Sequence, residues 1–189
     1  MKQAIILAIT VGFGVSAFAA PETYVVDPLH TFPSFSYVHM GFSTQQSKFE
    51  KTSGKITIDR AAKTGSLDIS IDATSVSTGS ELFNRHIKAE ELFNVERFPT
   101  ITFKSNNFQF DGDKVSSIVG DLTVKGVTKM VTLVVTSFNC GTHHLTKKGV
   151  CGANAHTRIK RSEFNTSRSV PIVSDDVTLN IVVEAVREQ

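Results

Sequence analysis

Apolar side chains recur at every second position in seven short runs, and this period of two constrains the chain more than any other feature. The runs are Ile56 and Ile58; Leu67, Ile69, Ile71 and Ala73; Ile101 and Phe103; Phe108 and Phe110; Leu122 and Val124; Val131, Leu133 and Val135; and Val177, Leu179, Ile181 and Val183. Successive side chains of an extended chain point to opposite faces, so alternation predicts strands with one buried face. Turn signals separate the runs: "DRAAKTG" at 59–65, Asp111-Gly112-Asp113, and Lys125-Gly126-Val127. Short strands at this spacing predict an antiparallel meander closing into a sandwich or a barrel.

One stretch departs from the rule. From 80 to 95, "SELFNRHIKAEELFNV", the period becomes helical, with Leu82, Phe83, Ile87, Leu92 and Phe93 as apolar members. Pro99 stops any continuation. The expectation is an all-β chain of about eight strands with a short helical insertion near 80–95. With no Trp and 14 Phe, phenylalanine is the bulk filler. An eight-stranded barrel is just wide enough either to be stuffed with its own side chains or to hold a ligand, and composition leaves both open.

The first residues read as a leader. Lys2 is followed by an apolar run over 5–15 and a small-x-small signal at Ala17-Phe18-Ala19, the layout of a secretory signal peptide over 1–19. Gly12 and Gly14 interrupt the apolar run, which is short for a membrane span, and no Cys at the cleavage point offers a lipid attachment. The remaining 20–189 show no repeat, linker or low-complexity tract and suit one domain. The whole chain carries net charge +2, and loss of Lys2 leaves a near-neutral protein. That argues against nucleic-acid binding, which needs a basic face.

Cys140 and Cys151 are the only cysteines. In an exported chain such a pair predicts a disulfide. His143 and His144 lie between them, but "CGTHHLTKKGVC" lacks the paired spacings of a zinc site. The stretch reads as a polar hairpin loop closed by the disulfide, with no metal. No Gly-x-Ser-x-Gly elbow, His-Glu-x-x-His or phosphate-cradling glycine loop occurs. The carboxylates Asp68, Asp72 and Asp121 alternate with apolar residues, as solvated strand faces do. The chain therefore reads as a non-catalytic protein.

Five blocks in order resemble the YceI-like family, periplasmic polyisoprenoid-binding proteins with a lipocalin-like barrel. They are "DPLHTFPSFSYVHMGFS" (27–43), "FEKTSGKITID" (49–59), "HIKAEELFNVERFPTITFKS" (86–105), "GDLTVKGVTKMVTL" (120–133) and "RSEFN" (161–165). The resemblance runs from 24 to 184. It implies an antiparallel eight-stranded lipocalin-like barrel in the periplasm, holding a long-chain isoprenoid: a quinone such as ubiquinone, or a polyprenyl phosphate. No further cofactor is required. A transient inner-membrane partner and a homodimer are both compatible with it.

On this reading the cavity is lined by Phe35 and Tyr37 of the first strand, Ile69 and Ile71, Leu122 and Val124, and by Phe83, Phe93, Phe98 and Phe103 on and beyond the helix. His39 and His86 either bond a head group or pin strand and helix to neighbouring groups, and His30 has the same two readings. Where the family often has Arg-Asp, this chain has Phe83 and Asn84, which makes that rim more apolar and favours a neutral head group. Asn165 replaces the corner Gly. Three roles follow from these residues: lipid carriage or sequestration, a stress or interaction protein with a self-filled barrel, and an accessory to quinone-dependent membrane electron transport.

Overall fold

The seven alternating runs become six strands, because Ile101, Phe103, Phe108 and Phe110 lie on one long strand whose register shifts between Lys104 and Asn107. The computed structural model describes residues 20–188, and the predicted leader lies outside them. The strands are β1 (Glu22–Val26), β2 (Ser34–His39), β3 (Ser43–Phe49), β4 (Thr52–Asp59), β5 (Thr64–Asp72), β6 (Val76–Ser77), β7 (Thr100–Asp111), β8 (Lys114–Val124), β9 (Val127–Thr142), β10 (Gly149–Lys160) and β11 (Val173–Arg187). Among the described residues a single α-helix, α1 (Glu81–Lys88), lies between β6 and β7.

All pairings are antiparallel, and β1 closes the sheet by pairing with both β4 and β11. The closed circuit β1-β4-β5-β7-β8-β9-β10-β11 has eight strands. The other three segments extend three of its staves. β2 continues β1 along β11, β3 precedes β4 along β2, and β6 follows β5 along β3. The result is the eight-stranded barrel that the resemblance implied. Closure leaves the circuit no free edge.

The two ends differ. At one end the connections are short, at 60–63, 112–113 and 143–148. Beneath them Tyr24, Ile58, Phe108, Val115, Phe138, Cys151 and Ala185 form a buried cluster. The predicted disulfide is present between Cys140 and Cys151. Both cysteines sit within β9 and β10, directly opposite each other, so only 143–148 is loop. The other end carries the two long connections, 78–99 and 161–172.

The helix is shorter than its sequence period. Ser80 caps its N-terminus, the hydroxyl accepting from the Phe83 N–H at 3.4 Å, with Glu81 in the first turn and Arg85, His86 and Lys88 in the last. That charge order complements the helix dipole. After Lys88 the chain folds back. The N–H groups of Phe93 and Val95 donate to the carbonyls of Ile87 and Lys88, and Asn94 turns left-handed at φ 48°. These turns satisfy carbonyls at the end of the helix. Leu92 and Phe93 therefore reach the barrel from a turn.

Candidate functional site: an apolar cavity with a polar mouth

The inward face of the barrel encloses a cavity of about 370 Å³, within the range of roughly 300–1,000 Å³ usual for small-molecule pockets. Its wall runs from the floor cluster, through the aliphatic inward faces of β5, β8, β9 and β11, to the mouth under α1 and the 161–172 connection. The phenylalanines thus do not fill the barrel completely.

Eleven of the twelve residues predicted for the wall line this cavity: Phe35, Tyr37, His39, Ile69, Ile71, Phe83, His86, Phe93, Phe103, Leu122 and Val124. Period two explains most of them. Phe35, Tyr37 and His39 share one face of β2, as Ile69 and Ile71 do on β5 and Leu122 and Val124 on β8. Phe103 gains its place from β8, where Gly120 leaves room: a Cβ there would sit 2.7 Å from the Phe103 ring. Phe93 packs edge-on against Phe35 and Phe49, with ring centroids 5.8 and 5.7 Å away. Aromatic pairs prefer such tilted contacts.

Phe98 is the exception. Its ring lies over the β8–β9 turn, where Gly126 has φ 75° and a Cβ would come within 2.7 Å of it. The Arg97 guanidinium stands 5.3 Å from the ring centroid. Phe98 packs on the turn outside the cavity lining, because residues 96–99 run along the rim before Thr100 enters β7.

His39 and His86 are exposed at the mouth, and the His86 ring stacks on Phe83 at 5.7 Å. His30 lies elsewhere, with Nδ1 at 2.7 Å from a carboxylate oxygen of Asp27. That contact raises the imidazole pKa and lowers that of the carboxyl. The departure at 84 is structural, since Asn84 Oδ1 accepts from both the N–H and the hydroxyl of Thr78 at 2.8 Å.

Several lining groups carry no alternating signal. Ile87 and Phe164 come from the helix and from the short turn Arg161–Phe164, and Thr52 from the start of β4. Among the described residues the buried Thr52 hydroxyl has no hydrogen-bond partner. Arg161, Thr166, Arg168 and Ser169 complete the mouth. Arg168 reaches Glu91 at 3.3 Å, joining the two long connections. The "RSEFN" block was the available signal for this corner, where Asn165 takes the left-handed conformation, φ 57°, that the family's Gly would supply.

The comparisons agree with this architecture. The model of the YceI-like domain matches residues 24–185. "Protein YceI" of Escherichia coli O157:H7 is 31% identical over 175 residues, covering 92% of this chain and 91% of that protein. Burkholderia cenocepacia BcnA has a similar structure, with TM-score 0.73 and 26% identity over 85% of this chain and 99% of that one. A polyisoprenoid binding domain from Saccharophagus degradans shares the fold, with TM-score 0.64 and 16% identity over 87% of this chain and 98% of that one.

Proposed function

Because the chain belongs to the YceI-like family, we propose that its barrel holds a long-chain isoprenoid, a quinone such as ubiquinone or a polyprenyl phosphate, for carriage, storage or sequestration. The observation that carries this reading is the apolar cavity, walled by aliphatic and aromatic side chains from floor to mouth. The Saccharophagus domain, which shares the fold, is described as polyisoprenoid-binding and supports the ligand class. Each buried CH₂ contributes about 0.8 kcal/mol, so a few isoprene units suffice for tight binding even after chain ordering is offset. The wall can therefore accept a tail with few polar contacts, as a binding protein requires and a catalyst does not.

The periplasm is the proposed location. The Cys140–Cys151 disulfide supports it, since such bonds persist in oxidising compartments. Among the described residues no helix is long and apolar enough to cross a membrane. A transient inner-membrane partner is proposed to receive or supply the lipid. Titration of delipidated protein with ubiquinone is expected to saturate at one ligand per barrel. Absence of saturable binding to ubiquinone and to polyprenyl phosphate alike would contradict the reading.

A further inference from the structure

The inward column of β2 grows more polar toward the mouth, from Phe35 to Tyr37 to His39. Its neighbour β11 bulges there: His39 pairs with Val173 and Tyr37 with Val177, leaving 174–176 out of register. Arg161 turns its side chain onto this bulge. Its Nε donates to the Ser174 carbonyl at 2.8 Å, Nη2 to the Val173 carbonyl at 3.0 Å, and Nη1 to the Thr166 carbonyl.

All three acceptors are neutral. Each terminal nitrogen keeps a second N–H. Asp175 is the acid nearest in influence, but both its oxygens are engaged by Ser162, at 2.8 Å from the N–H and 2.8 Å from the hydroxyl. Arg161 makes no ion pair among the described residues. A half-buried guanidinium beside an apolar cavity, with Asp175 acting on it only from beyond ion-pair distance, is costly to hold. Tyr37 lines the same cavity, and among the described residues no group hydrogen-bonds its hydroxyl. A phenol is neutral and donating at physiological pH, and burial raises the pKa of this one further.

We propose that the β2–β11 side of the mouth is a specificity site for an anionic oxygen head group, a carboxylate or a phosphate monoester, held by the Arg161 guanidinium and the Tyr37 hydroxyl. Charge-assisted bonds of this kind are the strong ones, and the guanidinium fork matches both groups. The site rests on the isoprenoid reading of the barrel and names the head group it prefers. Phe83 makes the α1 side of the mouth apolar, so the head group is received on the opposite, strand side.

The test is titration of delipidated protein with a polyprenol and with the polyprenyl monophosphate of the same chain length. A fatty alcohol and fatty acid of matched length separate phosphate from carboxylate as the source. The anionic member of at least one pair is expected to bind about 10-fold or more tightly, as a hydrogen bond to a charged group supports. Tyr37→Phe is expected to narrow that ratio severalfold, because it removes one donor to the anion while the ring stays in the wall. Arg161→Gln is expected to abolish the ratio and Arg161→Lys to restore part of it. If the Arg161 variants fail to fold, Tyr37→Phe decides. Equal affinities in both pairs, or an unchanged ratio in Tyr37→Phe, would overturn the site alone. No binding of any of the four lipids would overturn the site, and no binding of ubiquinone either would overturn the isoprenoid reading with it.

Discussion

Two tyrosines show how position within one barrel sets the chemistry of the same side chain. Tyr37 points into the cavity near the mouth, and Tyr24 lies in the floor cluster, 4% exposed. The Tyr24 hydroxyl donates to Glu22 at 2.7 Å. Burial first, then that bond and the Glu22 charge, push its pKa from 10.0 up to about 12. The folded state thus binds this proton more tightly than the unfolded chain does. Its contribution to stability is complete below pH 10 and is lost as pH rises through about 12. The Tyr37 pKa is also raised by burial. Because these are the only two tyrosines and there is no Trp, phenolate absorbance reads them without background. The folded protein is expected to stay largely unionised at pH 10, and Tyr24→Phe to reduce the loss of stability between pH 10 and 12. Half-ionisation at pH 10 in the folded state would contradict this account.

At the scale of elements, the β9–β10 hairpin is stapled at its far end by Cys140–Cys151 across a sequence separation of 11. Closing a loop of this size is worth roughly 3 kcal/mol by the loop-entropy relation. Cys140→Ser with Cys151→Ser is expected to lose about that much in urea unfolding, while reductant changes nothing further; a loss near zero would show that the staple constrains nothing. This hairpin also marks the limit of what alternation could reveal. β4, β5, β7, β8, β9 and β11 were legible because each buries one face and wets the other. β10, "GVCGANAHTRIK", packs mainly small residues inward, and β3, "STQQSKF", is exposed over its first four positions, so neither shows an apolar period. The helical period overran α1 because Leu92 and Phe93 pack against the core, partly buried, from a turn, and such packing alone does not distinguish turn from helix. Phe98 looked like wall because it precedes a strand whose inward residues are wall. The "RSEFN" block marked Arg161, but its carbonyl partners were invisible, since those bonds join residues brought together by a corner and a bulge.

On the scale of the whole molecule, the barrel is a cup. Short turns, a buried cluster and the disulfide close one end, while the helix-bearing connection and the 161–172 corner frame the other. Polar groups concentrate at the framed end, so the proposed ligand would lie tail inward, with its head group between Tyr37, His39 and Arg161. In the floor, Phe108, Phe138 and Cys151 are apolar, and the Tyr24 hydroxyl is already committed to Glu22. The central claim is that this cavity holds an isoprenoid. Its most direct test is native mass spectrometry of the protein purified from its own cell envelope, followed by organic extraction of the bound mass. The account predicts one bound molecule whose mass and absorbance match an isoprenoid quinone or a polyprenyl phosphate. A protein that is empty at its sequence mass, and stays empty when offered both lipids, would contradict it.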